Sequence, residues 1–223
     1  MRAIILIKWT LVSLLSLMSC FAQASVPQRI VSLSLCTDQL LLMLAPRQHI
    51  VSLTRGAVDP DLSYMAAEAN GFLLTRGNIE EVLPLNPDLI VGSAFASRDA
   101  VHFLRQLGYP VKLIGLPVSI AEIRDLLLAF GEWVGSPERA EQVVRKMDWQ
   151  LANLNLQQDR VKKTALIYSS NGYTIGSGTL ENVMLNAAGF HNLAVDMGVV
   201  GFEQITLERV VAAQPAFLFI ENH

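Results

Sequence analysis

Two segments of this chain repeat each other without a gap at an offset of 128 residues. Residues 79–91 align with residues 207–219, and the first acid of each segment, Glu80 or Glu208, occupies the same position. Each copy is typical of a short helix that begins beside an acid, ends near a proline and leads directly into an apolar strand. The repeat therefore predicts two lobes, each of which presents one acidic helix end.

The first lobe, residues 27–117, is predicted from alternating apolar strands and amphipathic helices. Strands are expected at 29–33, 49–53, in the first repeat copy and at 111–114, and further helices at 38–44, 64–70 and 98–107. Thr37 or Asp38 is the expected N-cap of the first of these helices. Alternation of this kind predicts an α/β lobe with a mostly parallel sheet covered by helices.

Two helices are predicted to connect this lobe to the next, within residues 118–160. The second begins with Ser136 as N-cap and Pro137 at the first helical position, and no helix breaker follows until about residue 160. Such a long helix fits a backbone that bridges two lobes, but a long surface helix would show the same pattern. The sequence alone leaves both interpretations open.

The second lobe is expected within residues 161–223. A strand at 164–168, a polar glycine-rich loop at 169–179 and a helix at 180–187 precede the second repeat copy. In the first lobe a further helix and strand follow the repeat copy, whereas the printed sequence stops at His223, just after the strand of the second copy. We therefore expect the C-terminal lobe to be truncated.

The first 24 residues predict export. Arg2 and Lys8 precede an apolar run that is too short to span a bilayer comfortably, and Ala22 and Ala24 place small residues where a signal peptidase cuts. We expect cleavage after Ala24 and a periplasmic protein. The alternative is a lipoprotein anchored at Cys20.

The mature chain is expected to be acidic. Loss of the leader removes two of the 17 basic residues and none of the 20 acidic ones, so the net charge falls from −3 to −5. An acidic surface disfavours binding to nucleic acid. Cys36 remains as the sole cysteine, so no intramolecular disulfide is expected.

Six segments of the mature chain share their order and spacing with one known family. They are RIVSL at 29–33, GNIE at 77–80, LNPDLI at 85–90, GYPV at 108–111, the helix that begins at Ser136, and TLERV at 206–210. On these segments the chain resembles the periplasmic substrate-binding proteins of ABC importers for vitamin B12 and iron-siderophore chelates, the class with a helical backbone.

The resemblance implies two α/β lobes joined by one long helix, with the ligand in the cleft between them and little lobe closure. It also implies that one glutamate on each lobe, here Glu80 and Glu208, docks on the transmembrane permease subunits. Three features depart from the family pattern: Ala216 in place of an acid, a second acid at Glu81, and the missing C-terminal helix and strand.

Each docking glutamate has a structural alternative, because an acid in the first turn of a helix is itself favoured by about 0.3–1 kcal/mol. Asn78 and Thr206 are the predicted caps of the two helices. The occurrence of equivalent acids on both lobes favours docking over helix stabilisation alone. Glu81 is expected to complete a capping box with Asn78.

Candidate ligand contacts lie near loops that follow predicted strands, because the carboxyl ends of parallel strands form the crevice of an α/β fold. Tyr173 could stack on a flat chelate or could instead pack over the sheet edge. The other candidates share an aromatic or polar side chain in such a region: Cys36, Thr37, Arg55, Tyr64, Phe95 and Phe202. An ordinary surface arginine at 55 and a buried small cysteine at 36 are the structural alternatives.

No resident cofactor and no catalysis are expected, because the four histidines are scattered and no metal-binding or nucleophile motif is present. We expect a monomeric solute-binding component of an ABC importer that captures a cobalt or iron chelate. A corrinoid is slightly favoured over a ferric siderophore or haem, because the cleft loops carry aromatic residues but no cluster of cations. The alternative is an exported enzyme or chelate-processing protein on the same scaffold.

Overall fold

The computed structural model describes residues 25–94, 98–153 and 162–220. Several sequence predictions fall outside these ranges: the signal peptide with its alternative lipid site at Cys20, the ligand candidate Phe95, and the end of the long helix near residue 160. Within the described ranges, no helix combines the length and the apolarity needed to cross a membrane.

The first lobe is built on a sheet of parallel strands in the order β3-β2-β1-β4-β5. The strands are β1 (Ile30–Ser32), β2 (Ile50–Thr54), β3 (Leu73–Thr75), β4 (Leu89–Ser93) and β5 (Val111–Ile114). From the central β1 the chain runs to one side through β2 and β3, and then to the other side through β4 and β5. The carboxyl ends of β1 and β4 therefore mark the point where the strand order reverses, which is the usual ligand side of such a sheet.

Both faces of this sheet are buried, because apolar residues occupy both side-chain directions of the central strands. The helices around it are α1 (Leu35–Leu44), α2 (Ile79–Val82), α3 (Arg98–Gln106), α4 (Ile120–Trp133) and α5 (Pro137–Asn153). Ile30 belongs to a buried cluster that includes Phe130 of α4, and Val31 to a second cluster that includes Leu104 of α3. Full burial of each such side chain contributes about 1.5–3 kcal/mol.

Helix α1 begins earlier than predicted, and the predicted caps Thr37 and Asp38 lie inside its first turn. Ser34 occupies the N-cap position, but its hydroxyl bonds the Thr37 hydroxyl at 2.9 Å and no helix N–H. Thr37 also bonds the Ser32 hydroxyl at 2.7 Å, and Asp38 accepts from Thr54. The cap prediction is wrong because both side chains bond the neighbouring strands.

The helix predicted at residues 64–70 is instead a series of turns. Arg47 fastens them by donating to the carbonyl oxygens of Glu68 at 2.9 Å and Asn70 at 2.7 Å. The guanidinium thus satisfies carbonyl groups that would otherwise need helical partners. The chain then enters β3, whose three residues are too few to show an alternating pattern.

Helices α4 and α5 form a close pair that is joined to α1. A side chain on Gly131 would place its Cβ 2.4 Å from the Cβ of Ala140, so glycine permits this approach. Helix α5 begins at Pro137, as predicted. Arg139 of α5 donates to the carbonyl oxygen of Met43 at 2.6 Å and so ties α5 to the last turn of α1.

The second lobe contains a smaller, mixed sheet in the order β10-β6-β7-β9, with β8 also paired to β6. Its strands are β6 (Lys163–Tyr168), β7 (Tyr173–Ile175), β8 (Phe190–Asn192), β9 (Phe202–Gln204) and β10 (Phe217–Ile220), and its helices are α6 (Leu180–Ala187), α7 (Leu193–Asp196) and α8 (Leu207–Ala213). Strand β6 pairs in parallel with β8 and β10 and antiparallel with β7. Strand β7 lies inside residues 169–179, so the prediction of a continuous loop there is wrong; pairing with the distant β9 supports this short strand.

The repeat is confirmed in the backbone geometry. Residues 79–85 form α2 and a 3-10 turn, and the aligned residues 207–213 form α8. Both copies then enter the left-handed region, with φ of 46° at Asn86 and at Gln214. The first copy changes to a 3-10 turn where Pro84 lacks an N–H donor.

The departure at Ala216 has a structural counterpart. In the first copy the aligned Asp88 accepts from the backbone N–H groups of Gln28 at 2.7 Å and Arg29 at 2.8 Å, and so fastens the start of β1. In the second copy the Ala216 N–H donates to the Thr164 hydroxyl of β6 at 3.0 Å. The residue before β10 is thus tied to β6 by a hydroxyl that belongs to β6. In the first lobe the corresponding bond is made by the carboxylate of the residue before β4.

Candidate functional site

Exposed side chains near the carboxyl edge of the first-lobe sheet include three predicted ligand contacts. Arg55 follows β2 directly, and its exposed guanidinium makes no hydrogen bond or ion pair with any described residue. Tyr64 is 93% exposed. Cys36 is exposed in the first turn of α1 and is not a buried small residue. These three side chains are accessible to a ligand.

Buried polar groups lie beneath the same loops. Thr37 is fully buried and bonded to Ser32, so the structure places it in support of the loop and away from solvent. Asp38 accepts from the Thr54 N–H at 3.0 Å and from the Thr54 hydroxyl. Burial raises the pKa of the Asp38 carboxyl above its ordinary value, although hydrogen bonds from Thr54 and Ser32 act in the opposite direction.

A cavity of about 760 Å³ opens where the strand order reverses. Its walls include Leu33 after β1, Glu80 on α2, and Asp99 and Phe103 on α3. The Phe103 ring is 44% exposed. Asp99 and Phe103 could not be predicted from the sequence, because only the strand order shows that α2 and α3 begin at the same edge of the sheet.

Glu80 and Glu81 have different surroundings at the start of α2. Asn78 accepts from the Glu81 N–H at 2.9 Å, while the Glu81 carboxylate accepts from the Arg76 N–H at 2.7 Å. The predicted capping box is therefore altered: the Glu81 carboxylate accepts from the Arg76 N–H and, at 3.5 Å, from the Asn78 side-chain amide, but not from the Asn78 backbone N–H. Glu80 is exposed, and its carboxylate has no hydrogen-bond partner among the described residues.

Glu208 occupies the aligned position on α8 and is also exposed. Hydrogen bonds from its own backbone N–H and from the Thr206 hydroxyl lower the pKa of Glu208 below its ordinary value. Thr206 holds the N-cap position, but its side chain accepts no bond from the helix. Thr206 is therefore the N-cap residue, as predicted, but its hydroxyl acts on the Glu208 carboxylate and not on a helix N–H.

Tyr173 and Phe202 come together on adjacent strands of the second lobe. In the β7/β9 ladder Tyr173 pairs with Gln204 and Ile175 pairs with Phe202. The two aromatic residues are therefore diagonal neighbours on one face of the ladder. Tyr173 is 42% exposed and Phe202 is 55% exposed. Both rings therefore offer exposed area on the same face of the ladder, where either could stack on a flat ligand.

The turns on either side of β7 hold this aromatic pair in place. Asn171 adopts a left-handed conformation with φ of 63°, and the Gln204 side chain donates to its carbonyl oxygen at 3.0 Å. After β7, a Cβ on Gly176 would lie 2.1 Å from the Val199 carbonyl oxygen. Only glycine fits this close backbone approach.

A second cavity, of about 510 Å³, opens beside β10. Its lining is almost entirely apolar: Ile167, Ile175, Glu181, Met184, Leu185, Ala188, Phe190, Phe219 and Ile220. All residues of β10 are exposed, whereas the aligned strand β4 is almost wholly buried. A chelate site needs converging polar groups, which this groove does not supply.

The described candidates offer aromatic faces, one arginine and carboxylates. In the described ranges no group of three His, Cys, Asp or Glu side chains is placed to hold a metal ion. Stacking and charge pairing with a ligand need no covalent chemistry. The arrangement can therefore hold a ligand by stacking on its rings and by pairing with its charged groups.

Comparison with known proteins gives a consistent result. The sequence profile of the periplasmic binding protein family matches residues 30–223. An uncharacterized ABC transporter substrate-binding lipoprotein of Bacillus subtilis (strain 168) is 28% identical over 199 residues, which cover 85% of this chain and 62% of that protein. A cobalamin-binding protein of Halobacterium salinarum (strain ATCC 29341 / DSM 671 / R1) is 25% identical over 196 residues, covering 86% of this chain and 53% of the relative.

A solved structure shows the same fold. The periplasmic heme-binding protein RhuT from Roseiflexus sp. RS-1, in its apo form, matches with a TM-score of 0.70 and 25% identity, covering 86% of this chain and 76% of that one. By name these three relatives are binding proteins and not enzymes, in agreement with the expected binding role. The chain spans 62% and 53% of the length of the two curated relatives. The profile match and the shared α/β architecture show that the chain belongs to the periplasmic binding protein family.

Proposed function

We propose that this chain binds a planar metal chelate in the periplasm and delivers it to the transmembrane subunits of an ABC importer. The ligand lies against the exposed loops at the carboxyl edge of the first-lobe sheet and against Tyr173 and Phe202 of the second lobe. Glu80 and Glu208 then orient the loaded protein on the permease. The family match supports this proposal, and no chemical step on the ligand is required.

The observation that carries the proposal is the exposure of aromatic rings on both lobes. Tyr64 is 93% exposed, Tyr173 42% and Phe202 55%, although burial of such rings would normally stabilise a fold. Aromatic side chains have few rotatable bonds and lose little conformational entropy when they stack on a ligand. Rings held on the surface by ordered loops and strands therefore favour a binding function.

A corrinoid is our first choice of ligand, ahead of haem and a ferric siderophore. The name of the Halobacterium relative supports a corrinoid, and the name of the Roseiflexus structure supports haem. Among the described ligand candidates, only Arg55 is cationic. One cation suits a chelate of low net charge better than a strongly anionic siderophore.

Calorimetric titration of the mature protein with cyanocobalamin, haemin and ferrichrome tests the binding proposal. We expect saturable binding of cyanocobalamin without turnover. Replacing both Tyr173 and Phe202 by alanine should weaken it by about tenfold or more, because two stacking faces are lost; tenfold corresponds to about 1.4 kcal/mol.

Trp149→Ala is the matched control, since this ring is 67% exposed on α5 and lies outside the proposed ligand loops. It should leave the affinity unchanged. The binding proposal fails if none of the three compounds binds, or if the control weakens binding as much as the double variant does.

The docking role rests on equivalent positions in the repeat. Glu80 and Glu208 lie in the first turn of aligned helices, and both carboxylates are exposed. Exposed charges at the rim of an interface mainly guide association and orientation. Reversal of both charges should therefore act on transport without acting on ligand affinity.

The double variant Glu80→Lys, Glu208→Lys should abolish uptake of radiolabelled cyanocobalamin in cells that depend on this protein. Ligand affinity, measured by calorimetry, should stay unchanged. The control is the double variant Glu68→Lys, Glu203→Lys, which makes the same change in net charge at exposed positions outside the repeat. Normal uptake by the first variant, or equal loss in the control, would remove the docking role.

A further inference from the structure

The first turn of α1 touches two of the proposed ligand loops from beneath. Asp38 in this turn is fully buried, and the next residue, Gln39, is partly buried. Both side chains accept hydrogen bonds from backbone N–H groups of other loops. They are therefore placed to shape the site without contacting a ligand.

Asp38 holds the end of β2. One carboxylate oxygen accepts from the Thr54 N–H at 3.0 Å, and the other accepts from the Thr54 hydroxyl at 2.5 Å. Thr54 is the last residue of β2, and Arg55 begins the 3-10 turn that follows. Two bonds to one residue fix both its backbone and its side chain. Asp38 therefore sets the direction in which the chain leaves the strand at Arg55.

Gln39 holds the second loop. Its side-chain oxygen accepts from the Tyr64 N–H at 3.1 Å across 25 residues of sequence. The Tyr64 ring itself is 93% exposed, so its position depends on its backbone and not on packing of the ring. The single bond to Gln39 thus attaches this tyrosine to the same helix turn that holds Arg55.

The chemistry at position 38 indicates a specific requirement. A buried carboxylate carries a desolvation penalty that only good hydrogen bonds offset. An apolar side chain could fill the same space without that penalty. The presence of Asp38 therefore indicates that the contact with Thr54 is needed.

We propose that Asp38 and Gln39 are positioning residues that set the separation between Arg55 and Tyr64 in the ligand site of the first lobe. The proposal rests on the proposed binding function, because it takes Arg55 and Tyr64 as ligand contacts. The fixed separation selects a ligand whose polar group and ring face are spaced to match. Adjacent acceptors on one rigid helix turn give this spacing its precision.

Hydrogen exchange in the ligand-free protein tests the positioning by itself. Asp38→Ala should speed exchange of the Thr54 and Arg55 amides by about tenfold or more, and Gln39→Ala should do the same for the Tyr64 amide. Asp38→Asn keeps one oxygen for the Thr54 N–H and should exchange like the wild type. If Asp38→Ala does not fold, exchange of the Tyr64 amide in Gln39→Ala decides the test. Unchanged exchange at Tyr64 in Gln39→Ala, together with unchanged exchange at Thr54 in Asp38→Ala, would overturn the proposal.

A double-mutant cycle tests the consequence for binding of cyanocobalamin, or of haemin if only haemin binds. Asp38→Ala should weaken binding about tenfold in the wild-type background and have no effect in the Arg55→Ala background, since a positioning residue acts only through the group it positions. Asp38→Asn should restore the affinity. Equal losses in the two backgrounds would overturn the role of Asp38.

Arg29→Ala is the control for a purely structural effect. It removes three hydrogen bonds to the carbonyl oxygens of Leu85 and Asn86, at the opposite edge of the sheet. This variant should lose stability and keep its affinity. If the wild type binds none of cyanocobalamin, haemin and ferrichrome, the proposed function fails, and exchange at Thr54 and Tyr64 still decides whether the positioning holds.

Discussion

Asp38 and Glu208 differ from ordinary acids in opposite directions, and their surroundings explain why. Asp38 is buried, and desolvation raises the pKa of its carboxyl although Thr54 and Ser32 donate to it. Glu208 is exposed, and its own N–H and the Thr206 hydroxyl lower the pKa of its carboxyl. Ionisation of Asp38 therefore opposes folding, whereas Glu208 stays charged at a lower pH than a free glutamate does.

The pH dependence of stability should show the raised pKa of Asp38. An acid with a higher pKa in the folded state contributes most to stability when protonated. That contribution is lost as the pH rises from the ordinary aspartate value, about 3.9, through the folded value. The free energy of unfolding of the wild type, relative to Asp38→Asn, should therefore fall across this interval and then stay level. Urea denaturation at pH values from about 3.5 to 7 measures it, and a relative stability that rises with pH would contradict the raised pKa.

The two copies of the repeat end in the same left-handed conformation but with different residues. Asn86 and Gln214 both have φ of 46°. Asparagine tolerates this region because its short side chain bonds locally, while glutamine lacks this advantage. The helix end of the second copy therefore stores more backbone strain than that of the first.

Glycine at these two positions should reveal the difference in strain. Gln214→Gly should raise the free energy of unfolding of the second lobe by about 1 kcal/mol, because glycine enters the left-handed region without a steric penalty. Asn86→Gly should raise that of the first lobe by less. Urea denaturation followed by circular dichroism gives both values. Equal gains at the two positions would show that glutamine is not the more strained residue.

How well each element could be predicted depends on the length of the sequence pattern that contains it. The longer apolar runs and the proline at the start of α5 indicate β1, β2, β4, β5 and α5 directly. Strand β1 also has three residues but lies within the predicted run 29–33, whereas the three-residue strands β3, β7, β8 and β9 are too short for an alternating pattern and are not predicted. They form because a neighbouring strand supplies their hydrogen-bond partners, and that information is not local in the sequence.

The sequence indicates which residues are candidates for the site, but it does not show how they are arranged in space. Tyr173 and Phe202 were selectable as aromatic residues near strand ends, but only the ladder register shows that they share a face. Thr37 also follows a predicted strand, but it is buried, because its hydroxyl bonds Ser32 of β1. The bond from Thr54 to Asp38 joins two segments that no local pattern connects.

The described residues form two lobes with unequal cores. The first has a buried cluster on each face of its sheet, while the described part of the second has one smaller cluster. All residues of β10 are exposed. Burial of apolar surface is the main favourable term in folding, so the first lobe is the more stable of the two.

Protein expressed without residues 1–24 should therefore unfold in two steps, with the second lobe first. Circular dichroism reports both lobes, whereas Trp133 and Trp149 lie on α4 and α5 beside the first. In urea the dichroism should change at lower concentration than the tryptophan fluorescence. Leu166→Ala should shift only the early step and Leu53→Ala only the late step, each by about 2–5 kcal/mol. Coincident transitions for both probes would show that the lobes unfold as one unit.

The bond between Arg139 and the Met43 carbonyl has a mechanical consequence. It fastens the last turn of α1 to α5, while Asp38 and Gln39 lie in the first half of α1. This helix has 10 residues and is about 15 Å long, too short to bend easily. Arg139 of α5, the end of β2 at Thr54 and the turn at Tyr64 are therefore all tied to this one short helix, so these three segments form a single connected unit.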